Sequence, residues 1–264
     1  MYDFNYQRAS SIEDAASKHA AADDARYLAG GMTMVPVLKQ RLDQPSDVVD
    51  LGSLGDLTGI SEDGGAIVIG AMTTHHDVAT SDLVKSKIPA LADLAGTIGD
   101  PMVRNRGTIG GSLANNDPAA SYPAAVLGLG ATIRTNKRSI EADDFFTGMF
   151  DTALEEGELI TAVSFPVPEQ AGYKHFPNPA SRFPIVGAFV AKTGGGVRVG
   201  ITGASPCAYR QSSFEDALSG GLDPESLKGI EVSSDGMNSD IHASAEYRAH
   251  LVKVMTKRAV DACT

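Results

Sequence analysis

The chain has 264 residues, enough to bury a sizeable core as one large domain or two smaller ones. Its 22 Lys+Arg against 33 Asp+Glu give a net charge of −11, which disfavours nucleic acid and anionic membrane surfaces as partners. No apolar run reaches the length of a membrane span, the N-terminus shows no basic-then-apolar leader, and two distant cysteines, Cys207 and Cys263, cannot build a zinc or iron–sulfur site. Two reduced cysteines suit a cytoplasmic protein.

In chain order, Ser11 to Ala22 reads as a helix capped by Ser10 or Ser11, with Glu13 and Asp14 at its positive end. Arg26 to Ala29 is a short strand that runs into Gly30-Gly31. Met34 to Arg41 is a helix with Pro36 near its first turn, and Asp47 to Leu51 another strand. A second region starts near Leu54. There Ala66 to Ala71 is a buried strand, and Thr73 or Thr74 caps a helix through His76 and Val78. Ile88 to Ile98 is helical, Gly99 to Pro118 an irregular stretch rich in glycine, asparagine and proline, and Tyr122 to Leu129 helical again. Ala131 to Arg134 and Leu159 to Phe165 are strands. Glu169 to Pro184 suits a linker or surface loop. Ile185 to Thr193 and Val197 to Thr202 form a hairpin about Gly194-Gly195-Gly196, and Glu215 to Leu218 and Ala245 to Asp261 are helical. A domain boundary falls near residue 170. Strands and helices mix without strict alternation, so the fold class is α+β.

Two glycine-rich segments hold the chemistry. Ala29-Gly30-Gly31-Met32-Thr33-Met34 lies at a strand-to-helix turn, where missing Cβ atoms let backbone N–H groups approach an anion and Thr33 adds a hydroxyl. Arg106-Gly107-Thr108-Ile109-Gly110-Gly111-Ser112-Leu113-Ala114-Asn115-Asn116-Asp117-Pro118 combines small residues, hydroxyls, amides and a carboxylate, as in a loop folded against a polar or phosphorylated ligand. There is no GxxxxGK[ST], and Gly128-Leu129-Gly130-Ala131-Thr132-Ile133 lacks the third glycine of a Rossmann turn. Two loops in separate α/β units suggest a ligand clamped between subdomains.

The ordered segments AGGMTMVPVLK, IGAMTTHHDVA, TIGGSLANNDPAASYPAAVLGLGA and ELITAVSFP resemble the medium, FAD-binding subunits of molybdenum hydroxylases of the carbon monoxide dehydrogenase and xanthine dehydrogenase group. YKHFPNPASRFPIVG and YRAHLVKVMTKRA are similar to the C-terminal domain of those subunits, so the resemblance covers nearly the whole chain. It implies a PCMH or vanillyl-alcohol-oxidase type FAD-binding domain over residues 1–170, with subdomains about 1–53 and 54–170. A smaller C-terminal α+β domain over 171–264 follows. By resemblance, Ala29 to Thr33 bind the pyrophosphate with Met34 as an adjoining cofactor contact, and Thr108, Ile109, Gly110, Gly111 and Ser112 bind the pyrophosphate and flavin edge. Leu94 or Ala95 sits near the cofactor, Asn115 and Asn116 add polar contacts, Leu159 or Ile160 packs on the ring system, and Lys174 reaches the flavin. A cation there suits reduced flavin, which accumulates negative charge. Ser121 stands where many relatives have an acidic residue, and Phe183 where some place a tyrosine over the flavin.

The implied partners are a large molybdopterin-binding subunit and a small 2Fe–2S subunit, assembled as a dimer of heterotrimers. The implied acceptor is external: quinone, NAD or another carrier. Two cysteines argue against the benzoyl-CoA reductase branch, whose corresponding subunit carries an extra cluster. The alternatives are a self-sufficient FAD-dependent oxidoreductase of the vanillyl-alcohol oxidase type, or a cofactor-free assembly protein. Other polar residues suggest plainer roles. His75 and His76 point about 100° apart on a helix and cannot converge on a metal; a capping or surface role is expected, or cofactor proximity for one of them. Arg104 and Arg106 suit anion contact or salt bridging, Asp143-Asp144 and Glu155-Glu156 solvated turns, and Tyr247 and Arg248 packing on the C-terminal sheet.

Overall fold

Three β-sheets, each with its own hydrophobic cluster, organise the chain, described here over residues 1–264 from a computed structural model. The N-terminal lobe begins where Ser11 accepts a hydrogen bond from Asp14 N–H, capping helix α1 (Ile12–Ala20). Strands β1 (Asn5–Arg8), β2 (Ala25–Leu28) and β3 (Asp47–Asp50) form a parallel sheet in the order β1-β3-β2. Val48 and Val49 on the central β3 are fully covered. Helix α2 (Met34–Lys39) crosses back from β2. Its first turn tolerates Pro36 because no intrahelical N–H is needed there.

The second lobe is an antiparallel sheet ordered β4-β5-β10-β6-β7, from β4 (Ile60–Asp63), β5 (Ala66–Gly70), β6 (Thr132–Thr135), β7 (Ser139–Glu141) and β10 (Ile160–Pro166). A small hairpin, β8 (Phe146–Gly148) and β9 (Asp151–Thr152), stands apart. Helices α3 (His75–Thr80), α4 (Asp82–Lys87) and α5 (Pro89–Thr97) follow β5. The stretch Gly99 to Pro118, read as irregular, instead holds two short helices, α6 (Pro101–Arg104) and α7 (Ile109–Asn115). Asp100 and Thr108 cap them by accepting from Val103 N–H and Gly111 N–H. Glycines at 110 and 111 hid the second helix from propensity, but its cap and its buried Ile109 and Leu113 supply what they withhold.

Helix α8 (Tyr122–Leu129) has all eight residues buried, since it is sandwiched between the second and third sheets. Helix α9 (Ala142–Phe145) links β7 to the small hairpin. The third sheet is antiparallel in the order β11-β12-β13-β14, from β11 (Gln170–Pro177), β12 (Pro184–Thr193), β13 (Gly196–Thr202) and β14 (Tyr209–Arg210), followed by α10 (Ser212–Leu218) and α11 (Ala245–Asp261). Glu169 to Pro184 is therefore not a linker. Its first half is β11, whose Ala171 and Tyr173 are buried in the same cluster as Phe165 of β10. Polar and proline residues at its ends masked the alternation within it.

β12 is buried over eight consecutive residues because it is covered twice. Phe189 and Ala191 face α8 and join the large cluster; Val186, Ala188 and Val190 face α11 and join the C-terminal one. Arg248 on α11 is buried, donates to the carbonyls of Ile185 and Gly203, and pairs with Asp240 at 2.7 Å, tying the helix to the sheet as expected. Asp143, expected in a solvated turn, instead receives Arg198 and Arg210 and fastens the second lobe to the third sheet. A Cβ on Gly200 would lie 2.1 Å from the Ala124 carbonyl oxygen, so α8 sits directly on the β13 backbone. Gly200→Ala is expected to lose about 1–3 kcal/mol of stability, read as a lower urea midpoint with an unchanged slope.

Candidate functional site

The two glycine-rich segments meet. A Cβ on Gly30 would stand 1.9 Å from the Arg106 carbonyl oxygen and 3.0 Å from Gly107 Cα, so the first turn packs against the backbone of the second segment. A Cβ on Gly111 would meet that of Ala29 at 3.5 Å. Beside this contact opens a cavity of about 460 Å³ lined from the first lobe by Arg8, Ala29 to Gly31 and Asp50, and from the second by Thr74, Arg106 and Thr108. It is an interlobe cleft.

The two walls differ in chemistry. On the first, the turn Gly30 to Thr33, whose Gly30 and Gly31 line the cavity, has four backbone N–H groups that make no hydrogen bond within the chain. Gly31 adopts φ +73°, a conformation that other residues reach only with strain. Thr33 stands at the start of α2 without a side-chain cap bond, leaving its hydroxyl uncommitted. Four consecutive free donors at a turn form an anion cradle. On the second wall the amides are already used. Ile109 N–H donates to Thr73 O, Gly110 N–H to Ala71 O, Gly111 N–H to Thr108 Oγ1 and Ser112 N–H to Thr108 O. The expected second cradle of backbone amides is absent; only Thr108 N–H is free there. Glycine at 110 is required instead by the protein itself, since a Cβ would lie 2.6 Å from Ala71 Cβ.

The other expected contacts scatter. Leu94 and Ala95 are completely buried on α5 in the large cluster. Ile160 belongs to the same cluster, while Leu159 packs in the first lobe's core. Asn115 remains partly exposed with no hydrogen bond of its own, but Asn116 is buried, left-handed at φ +40°, and donates to the carbonyls of Gly148 and Asp151. Its amide holds the small hairpin. Ser121 is buried at the start of α8, and Lys174 is exposed on β11, away from the cleft lining. Phe183 lines a second cavity of about 420 Å³, between Asp117 to Ala119 and the β11–β12 turn. Helix α7 separates the two cavities: Thr108 at its start faces the first, and Asp117 just past its end faces the second. Seven helical residues span roughly 10 Å.

Arg8, Asp50, Gly52, Thr58 and Met72 line the cleft without having been singled out. Arg8 and Asp50 are paired residues at the ends of β1 and β3, a position that strand register marks but composition does not. Arg104 donates to the carbonyls of Ile98 and Gly99 and so has a structural role. His75 is neither on the surface nor a cap. It is buried beneath Gly107, whose carbonyl accepts its backbone N–H, and its ring lies against Tyr122; His76 is the exposed one. Burial first, and Arg104 second, push His75 down to about 4. No group of three His, Cys, Asp or Glu residues could hold a metal ion, and no helix is long and apolar enough to cross a membrane.

The fold and cleft define an FAD-binding flavoprotein subunit. Residues 2–168 match the family described as the FAD-binding domain in molybdopterin dehydrogenase. The chain is 35% identical to the carbon monoxide dehydrogenase medium chain of Afipia carboxidovorans, covering 98% of this chain and 96% of that one. It is 36% identical to the nicotine 6-hydroxylase medium subunit of Paenarthrobacter nicotinovorans, with 97% and 95% covered. Its fold is similar to that in reconstituted CO dehydrogenase from Oligotropha carboxidovorans, with a TM-score of 0.91, 35% identity and coverage of 99% and 97%. The chain belongs to the FAD-binding medium subunits of the molybdenum hydroxylases, an oxidoreductase family.

Two outcomes follow from the cleft. Gly30→Ala forces the lobes apart at a cost of at least about 1–3 kcal/mol, so FAD affinity is expected to fall roughly tenfold or more, measured by flavin absorbance per chain. His75 is held neutral when folded but takes a proton near its ordinary value of 6.5 when unfolded. Its contribution is therefore full above that pH and is lost as pH falls toward about 4, up to about 3 kcal/mol. His75→Gln should flatten this limb of a urea-stability profile against pH.

Proposed function

We propose that this chain is the electron-relaying subunit of a molybdenum hydroxylase complex, passing electrons from the 2Fe–2S clusters of a small partner to an external acceptor, while a large molybdopterin-binding partner oxidises the substrate. The observation that carries the reading is the interlobe cleft, with a turn of four unpaired N–H donors entering one wall, in a chain with no metal-ligand cluster of its own. The relatives named as medium chains of carbon monoxide and glyceraldehyde dehydrogenases support the partner set. A dimer of heterotrimers, in the cytoplasm with both cysteines reduced, completes the proposal; Cys207 and Cys263 are free.

The chain's own residues divide the work of holding the cofactor. Gly30 to Thr33 would take the diphosphate oxygens, with Ser112 and Asn115 as uncommitted polar side chains nearby along α7. The ring system would extend past the end of α7 toward the second cavity, where Phe183 offers an apolar face without a hydroxyl. Leu159 and Ile160 would support the lobe junction from beneath, and Leu94 and Ala95 the wall of the second lobe. FAD, when bound, supplies a centre that takes up and releases electrons singly or in pairs. Residues 1–170 and 171–264 are proposed as the cofactor-binding and capping units, with subdomains meeting near residue 53.

The test is reconstitution. The purified chain is expected to hold about one FAD, and that flavin to bleach anaerobically on addition of the complex's substrate only when the iron–sulfur and molybdenum subunits are present. Turnover of an organic substrate by the isolated chain would instead establish the self-sufficient oxidase reading; a chain without flavin would establish the assembly-protein one.

A further inference from the structure

The asymmetry of the cleft walls leaves a chemical gap. A diphosphate carries about two negative charges and is usually met from more than one side by donors or cations. Here the first lobe offers four free N–H groups, but the second has committed all its loop amides except that of Thr108. Of its other polar cleft residues, only the Thr58 and Thr108 hydroxyls keep a free donor, and neither carries charge. Thr74 Oγ1 donates to Asp77, and Asn105 donates to the Pro101 carbonyl. The whole chain, at −11, repels an anion.

Arg106 is the one cation on that wall. It lines the cleft, is exposed, and forms neither a salt bridge nor a side-chain hydrogen bond, while its own carbonyl is the atom against which Gly30 packs. The guanidinium therefore leaves the backbone at the lobe contact, beside the free N–H groups of the first turn. Across the cleft Arg8, at the end of β1, is likewise exposed and without a hydrogen bond or ion pair. Asp50 lines the same cavity, but its carboxylate is occupied by the Tyr6 hydroxyl and Gly52 N–H. It claims neither arginine.

We propose that Arg106 and Arg8 form a two-lobed cationic clasp on the diphosphate of the bound nucleotide cofactor, Arg106 supplying from the second lobe the positive charge that its committed amides do not. This rests on the FAD reading and adds to it a specific division: amides hold the diphosphate from one side, and a guanidinium from the other. The two contacts differ in kind. Backbone donors are fixed and weakly sensitive to salt, whereas an exposed guanidinium–phosphate pair is screened over a Debye length of about 8–10 Å near physiological ionic strength.

The experiment uses the full chain, freed of flavin and titrated with FAD, ADP or riboflavin at low and high salt, as wild type, R106M, R8M, the double variant and R106K. R106M is expected to weaken FAD and ADP about tenfold at low salt while leaving riboflavin, which lacks phosphate, unchanged. The salt dependence of FAD binding should become shallower in R106M and nearly flat in the double variant, and R106K should recover part of both. If R106M takes up FAD and ADP with wild-type affinity and salt dependence, the clasp is wrong and the cofactor reading stands. Weakening of all three ligands equally, riboflavin included, also overturns it, by showing a general disturbance of the cleft. A wild-type chain that binds no FAD overturns the cofactor reading and the clasp together.

Discussion

The contact between Gly30 and the backbone at Arg106 and Gly107 is the constraint on which the site depends. Two lobes with separate sheets and separate cores meet at a point where no side chain intervenes. The close approach fixes the cleft width by backbone against backbone, which is stiffer than any packing of side chains. His75 reinforces it from below, holding the Gly107 carbonyl with its own N–H and filling the space a Cβ there would need. A buried neutral ring does this without introducing a charge beneath the cleft wall.

From that contact the rest follows in order. β2 ends at the first turn, α2 leaves it, and the four N–H groups between them stay unpaired because neither element reaches back to claim them. α7 begins on the other side, and there Thr108 together with the carbonyls of Thr73 and Ala71 consumes the donors that a loop would have offered. The helix in turn delivers its far end to a second cavity beside Phe183. One short helix thus connects two openings of similar size.

Much of this was legible in the sequence, and the failures have identifiable causes. The starts of α1 and α3 could be read to within one residue from paired hydroxyls, Ser10-Ser11 and Thr73-Thr74, and β5 from an apolar run between glycines. That the glycine segments share one cleft followed from their placement in separate α/β units. What could not be read was which amides remain free, because that depends on pairing between residues such as Gly110 and Ala71, far apart in the chain. Gly99 to Pro118 reads as a loop because four glycines and two prolines outweigh a pair of caps. Glu169 to Pro184 reads as a linker or surface loop because its buried large side chains are few and its partner β12 lies later. Asn116 looks like a ligand contact by composition, yet its amide is spent on the hairpin at residues 146–152.

The large cluster runs without interruption through residue 170, joining Phe165 to Tyr173 and Phe189. Although the last third of the chain has its own sheet and a second cluster under α11, it has no seam along which it could be detached. Swapping that portion with the equivalent part of a relative would graft one half of an interlocked interior onto another. Only changes made jointly on α8, β11 and β12 would be accommodated, so those three elements are bound to diversify together.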